Sequence, residues 1–161
     1  SGWPVTSSSS RHFEIVPTVA GHVSFIGRRL RQSDCDEIWS AVGTDPMTAL
    51  EDSVAVSRIC RTIVLGGAPA AIFGAADANA CSPGVAWLLG TDKITEHPRA
   101  FWLASREGLG LLFTWYDQLF NYVDARNTAS LRWLKRLGAR IAPAVPFGID
   151  ARPFHYFEFV R

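Results

Sequence analysis

The sequence predicts a mixed α/β sheet with helices on both of its faces. Short apolar runs bounded by Gly or Pro are interleaved with longer runs at helical spacing. Their order is strand, helices, three strands, helix, strand, helix, two strands. One of the strand runs, "GVAWLLG", is almost wholly apolar, as expected where both faces of a strand are buried. A helical segment separates the strands expected at 84–89 and 119–125, and such a crossover places them parallel and adjacent.

The first strand is expected over His12–Thr18, ahead of which residues 1–11 read as a flexible tail. Val23, Ile26 and Leu30, then Ile38, Trp39 and Val42, recur at helical spacing, and the Ser33-Asp34 step between them predicts a second helix with a capped start. A third helix follows, with Asp45 as N-cap and Pro46 at the first helical position. Strands over Thr62–Leu65 and Ala68–Ala75 flank Gly66-Gly67, which predicts a hairpin. After the strand at 84–89, one helical face gathers Phe101, Ser105, Gly108, Leu109, Leu112 and Tyr116. Gly108 and Gly110 each cost about 1 kcal/mol against alanine inside a helix, so small residues at 105 and 108 point to close approach to a sheet. Asn127 and Gly138 delimit the last helix as N-cap and terminator. Ala139–Val145 and Phe154–Val160 supply the closing strands, and neither a repeat nor a linker divides 12–161.

Composition narrows the class. The 161 residues are 48% hydrophobic and 19% charged, which suits a folded core. A formal charge of +1 names no partner, and nucleic acid is not expected as one. No apolar run is long enough to span a bilayer. Cys35, Cys60 and Cys81 are scattered and odd in number, which argues against a disulfide framework and for buried free thiols. No metal spacing, dinucleotide fingerprint or nucleophile turn is present.

The element order and "NYVDARNTASLRWLKRLGARI" resemble the GNAT acetyltransferase fold, with Asn127, Ser130, Lys135, Arg136, Leu137 and Gly138 at the places of that family's strand-asparagine-helix-glycine element. Within that fold, "LFNYVDARNTASLRWLKRLGA", followed at a distance by "FHYFEFV", resembles the internal virion protein A family of short-tailed phages. The matching positions are Asn121, Tyr122, Val123, Asn127, Thr128, Arg132, Leu134, Lys135, Gly138 and Ala139. The resemblance implies a phage-encoded GNAT-like domain, with other virion or assembly proteins as partners, self-association as a further contact, and the virion and host cytoplasm as its location.

The resemblance also says where a cofactor would sit, and the residues there do not suit it. GNAT enzymes hold the pyrophosphate of acetyl-CoA on a glycine-rich loop before the long helix, where backbone N–H groups and the helix dipole meet the anion. Here that place reads "GTDKITEHPRAF", without paired glycines, with Asp92 and Glu96 present, and with Pro98 removing a donor. Glu96 suits the start of a helix without any ligand. The tyrosine that many of these enzymes place four residues before the family's glycine is Leu134 here, in an apolar stripe with Leu131 and Leu137. Tyr116 and Tyr122 are candidate replacements for this acid. The strands around "GVAWLLG" offer no carboxylate base before Asp77 and Asp92.

No catalytic residue is therefore assigned, and no cofactor is expected. If the chain is nevertheless an enzyme, acetyl-CoA is the expected cofactor, Leu89, Lys93, Arg99 and Asn127 are the expected contacts, and an amine of a host or phage protein is the acceptor. Asn127 needs no function beyond that of a helix cap. Asn121, inside an apolar strand, must find partners, and the backbone where two parallel strands part would supply them.

Charge is clustered rather than large. Asp34, Asp36, Glu37, Asp45, Glu51 and Asp52 form an acidic block, and Arg126, Arg132, Lys135, Arg136 and Arg140 a basic one. Arg132, Lys135 and Arg136 are a solvated helix face or a contact for an anion or partner. Trp3, Trp39, Trp102 and Trp115 are candidate partner anchors.

Overall fold

The computed structural model describes residues 12–80 and 83–161. Eight strands form one sheet: β1 (Phe13–Pro17), β2 (Ile59–Leu65), β3 (Ala68–Asp77), β4 (Gly84–Gly90), β5 (Gln118–Asp124), β6 (Arg140–Ile141), β7 (Val145–Phe147) and β8 (Arg152–Val160). The order across the sheet is β1-β2-β3-β4-β5-β8-β6, with β7 also paired to β8. All pairs are antiparallel except β4 with β5, which is parallel as the crossover requires. The helices are α1 (Ala20–Gly27), α2 (Gln32–Ala41), α3 (Pro46–Val56), α4 (Lys93–Glu96), α5 (Pro98–Leu112) and α6 (Thr128–Leu137).

Strand alternation divides the core. Ala71 and Phe73 face one side with Ile63 and Leu119, where α5 and α6 pack. Ile72 faces the other side, against Ile26 of α1 and Leu50 of α3. Helices therefore cover both faces. α5 buries Ala100, Phe101, Ala104, Ser105, Gly108 and Leu112 along one stripe. A Cβ on Gly108 would lie 2.9 Å from Cζ of Phe73, so the small residue is what allows the helix to approach the sheet this closely.

Local signals hold where the chemistry is local. Asp45 caps α3 by accepting from the Thr48 N–H at 3.0 Å. Gly66 and Gly67 take φ of 58° and 79°, the left-handed pair that a two-residue hairpin needs. Asn127 accepts the Ser130 N–H at 3.1 Å, and Gly138 ends α6 at φ 101°.

Other expectations are corrected. Ser33-Asp34 does not cap α2: the cap position is Arg31, whose side chain makes no capping bond, and Asp34 lies inside the helix with its carboxylate turned to the sheet. Leu30 is outside α1 and bridges Thr91 instead. Tyr116 is buried but follows the end of α5. The strand expected over Ala139–Val145 is two short pieces, because Pro143 cannot donate to the ladder after the Ala142 N–H has bonded the Tyr156 carbonyl at 2.9 Å. Val85 to Leu89 are only partly buried, although their sequence is continuously apolar. Cys35 and Cys60 are free but half-buried rather than fully so. Cys81, Trp3 and the tail expected over 1–11 lie outside the described residues.

Candidate functional site: a cleft where two parallel strands part

β4 and β5 pair only at Gly84 with Leu119 and Val85 with Phe120. Beyond Val85 they diverge, which explains the exposure of β4. The carbonyl of Ala86 then has no ladder partner, and Asn121 Nδ2 donates to it at 2.8 Å. The Asn121 Oδ1 accepts the Tyr122 N–H, also at 2.8 Å. Both ends of the amide are thereby used, so Asn121 is the clip that the polar residue in an apolar strand called for.

The divergence opens a cleft of about 690 Å³ between β4, β5, α2, α5 and α6. Its walls include Trp87, Tyr122, Asn127, Trp133 and Leu134, with Asp34 and Glu37 on the α2 side. Tyr122 is held by stacking on Phe147, with ring centroids 4.1 Å apart.

The acidic side is the part that sequence reasoning missed. Asp34 is 3% exposed, accepts the Gly90 N–H at 2.9 Å, and takes a forked bond from Arg31. Burial pushes its carboxyl above the usual range, against the pull of Arg31. Glu37 Oε1 accepts the Asp124 N–H at 3.1 Å and Asn127 Nδ2 at 3.2 Å. Burial pushes Glu37 up to about 7; the Asn127 bond opposes this, and the nearby charges of Asp34 and Asp124 add to it. Asp124 behaves differently. Burial would raise it, but hydrogen bonds from the Arg126 side chain and amide outweigh burial and hold it below the usual range. Arg126 also reaches Ser40 Oγ at 3.2 Å, tying β5 to α2. A carboxylate near 7 in a cleft can take or give a proton at neutral pH. The signal for it was the acidic block, in which Asp34 and Glu37 stand three apart on one helical face.

The other proton-transfer candidates are placed apart or at the rim. Tyr116 donates to Asp77 at 2.5 Å, and burial followed by that bond pushes it up to about 12. Asp77 is lowered by hydrogen bonds from Arg58, then from Tyr116. This cluster is no part of the cleft lining, whereas Asp92 lies in that lining and Tyr122 is on its wall.

The segment 91–98 is folded on itself. The Lys93 N–H goes to Thr91 Oγ1, the Ile94 N–H to the Thr91 carbonyl, the Thr95 N–H to Asp92 and the His97 N–H to Lys93. Lys93 Nζ lies 3.3 Å from Glu96. A Cβ on Gly90 would lie 2.3 Å from Ile94 Cδ1, so this glycine makes room for α4 and not for a ligand. The amides of Lys93, Ile94, Thr95 and His97 are thus taken up within the short helix, and a segment without paired glycines and with Asp92 and Glu96 in it is a poor fit for a pyrophosphate.

Of the residues named from sequence, Asn127, Arg132 and Arg136 line the cleft, while Leu89, Lys93, Arg99 and Lys135 do not. Leu89 packs on the opposite face of the sheet with Ile26 and Ile72. The Arg136 guanidinium lies 4.0 Å over the Trp102 ring at the cleft mouth. Trp39 and Trp115 are about half exposed and remain open to a partner. Leu134 is 4% exposed, and Leu131 and Leu137 pack against the same core. Among the described residues there is no cluster of metal-ligating side chains and no helix long and apolar enough to cross a membrane.

No family model matches this sequence. No curated protein matches it either. Solved structures do. A spermidine N-acetyltransferase from Vibrio cholerae, in complex with CoA and spermine, aligns with TM-score 0.68 at 11% identity over 92% of this chain and 95% of that one. A GNAT-family acetyltransferase from Bacillus anthracis aligns with TM-score 0.67 at 12% identity, again over 92% and 95%. One from Streptococcus pneumoniae gives TM-score 0.62 at 14% identity over 92% and 99%. The fold is therefore the GNAT acetyltransferase fold. At these identities the likeness extends to the fold alone.

Proposed function

We propose that this chain is a phage-encoded GNAT-fold protein that serves in the virion or its assembly through protein contacts and lacks efficient acetyl transfer. The observation that carries the second half is the α4 turn, which takes up the amides of Lys93, Ile94, Thr95 and His97 ahead of the long helix and offers no glycine cradle there. Leu134, where many enzymes of this fold hold an acidic tyrosine, supports it as well. The first half is supported by the resemblance over residues 119–139 to the internal virion protein A family. Contacts with other virion proteins, and self-association, would use the exposed Trp39 and Trp115 and the basic face of α6.

A second reading, an N-acetyltransferase acting on an amine of a host or phage protein, is favoured by Glu37. Its carboxylate, near 7 and facing the cleft, could accept the proton that an ammonium group must lose before it attacks. The cofactor would have to be held without the phosphate cradle.

Calorimetry and thermal shift with acetyl-CoA separate the two. The expected result is no saturable binding. A ligand at 100 times its Kd would add about 2.7 kcal/mol of stability, and such a shift would put the enzyme reading first. The virion half is tested by proteomics of banded particles of the phage carrying the gene, in which the chain is expected and from which its absence would refute the assignment.

A further inference from the structure

We infer that the outer groove between α1 and α3 is where two copies of this chain associate, each laying its α1 over α3 of the other. The groove lies on the side of the sheet away from α5 and α6 and measures about 640 Å³. Val19, Ala20, Val23, Met47, Val54 and Ala55 form its apolar lining. Val19 is 54% exposed, and Val56, next to Ala55, is 69% exposed. The sheet does not account for this strip, because α1 and α3 already bury Ile26 and Leu50 against Ile72. Gly27 keeps the two helices close, since a Cβ there would run into Met47.

The charges around the groove are sorted by helix. From Ala20 to Arg29 there is no carboxylate, and Arg28 and Arg29 close the run. From Pro46 to Val56 there is no lysine or arginine, and Glu51 and Asp52 stand in the middle. Arg28 and Glu51 line the groove from its two sides. Both are exposed, and neither forms an ion pair with another of the described residues. A surface that fits must therefore be apolar at its centre, acidic over α1 and basic over α3.

The same face of a second copy meets all three conditions. A two-fold axis along the groove sets α1 of each copy on α3 of the other, so Arg28 of one copy faces Glu51 of the other at two equivalent places. A partner of uniform charge would match one helix and be repelled by the other. The 11 residues of α3 span about 16 Å. A footprint of that length and two helices wide is at the small end of specific interfaces, so a weak dimer is expected, with a Kd of about 10 μM. This contact lies apart from Trp39, Trp115 and α6, and it does not rest on a role in the virion.

The test is sedimentation equilibrium of the full chain from about 1 μM to about 0.5 mM, a range that brackets such a Kd. A monomer–dimer equilibrium is expected. Arg28→Glu and Glu51→Arg should each weaken it at least about tenfold, because each sets like charges together at both equivalent places. Mixing the two variants should restore the dimer, since every contact in the mixed pair again joins opposite charges. An ion pair formed within one copy cannot give that result. Ala55→Gln, which sets a polar chain in the groove at an exposed position, should also weaken the dimer and serves if a reversal variant fails to fold. A chain still monomeric at about 0.5 mM would leave the groove to a different partner and overturn the proposal. A dimer indifferent to both reversals, or one that mixing does not restore, would overturn it too. Loss of the dimer in Trp39→Ala, with both reversals tolerated, would move self-association to the tryptophan surface instead. Absence of the chain from virions would refute the preceding section's reading and leave this dimer intact.

Discussion

Glu37 on α2 and Asn127 at the start of α6 meet across the cleft, with Nδ2 of the asparagine 3.2 Å from Oε1 of the glutamate. The same asparagine caps α6 through its Oδ1. One side chain thus closes a helix and supplies a donor to a carboxylate that burial has lifted to about 7.

That carboxylate makes stability depend on pH. Its folded value, about 7, lies above the ordinary 4.5. The stabilisation is therefore fully present below pH 4.5 and is lost as pH rises through 7. Glu37→Gln keeps an acceptor for the Asp124 N–H and removes the charge. Urea melts should show the variant more stable than the wild type at pH 8 by about 1–3 kcal/mol, with the difference shrinking towards pH 5. Asp34, raised in the same direction, continues to contribute in both proteins. A variant no more stable at pH 8 would remove Glu37 as a desolvated acid.

Asn127→Asp separates the two roles of that residue. The cap survives, since aspartate also accepts the Ser130 N–H. The donor to Glu37 is lost and a second negative charge takes its place, so Glu37 should titrate above 7. Carboxyl carbon shifts followed by NMR would report it; an unmoved or lower value refutes the coupling.

Asn121→Leu should leave the Ala86 carbonyl and the lip of β4 without a partner. The expected cost is about 1–3 kcal/mol by urea melts, with faster hydrogen exchange at 85–89 than elsewhere in the sheet. Uniform exchange would show that the clip is not what holds the divergence.

Leu134 faces both the core and the cleft. Leu134→Ala should cost about 2–5 kcal/mol. Leu134→Tyr should cost less than about 1.5 kcal/mol, because the ring can extend into the cleft and its hydroxyl can reach water there. A tyrosine variant as unstable as the alanine one would show that this wall of the cleft is closed to it.

The sequence by itself determined those features whose causes lie within a few residues. The cap at Asp45, the Gly66-Gly67 turn, and the start and stop of α6 at Asn127 and Gly138 depend on hydrogen bonds and φ angles that local residues set. The parallel pairing of β4 with β5 was also legible, because a helical crossover leaves little choice. The need of Asn121 for a partner on the backbone where the strands part was legible too, and the Ala86 carbonyl is that partner. Only the tertiary structure decided the rest. Glu37 takes both of its donors from residues 87 and 90 positions away, so the local spacing that sets it on one helical face with Asp34 carries no record of that face being covered. Asp34 looked like a cap because aspartate often is one, but the Gly90 amide, 56 positions away, claims it instead. The exposure of β4 follows from where two strands separate, and hydrophobicity carries no record of that. Local chemistry is written along the chain, whereas desolvation and long-range pairing exist only once the chain has brought distant groups together.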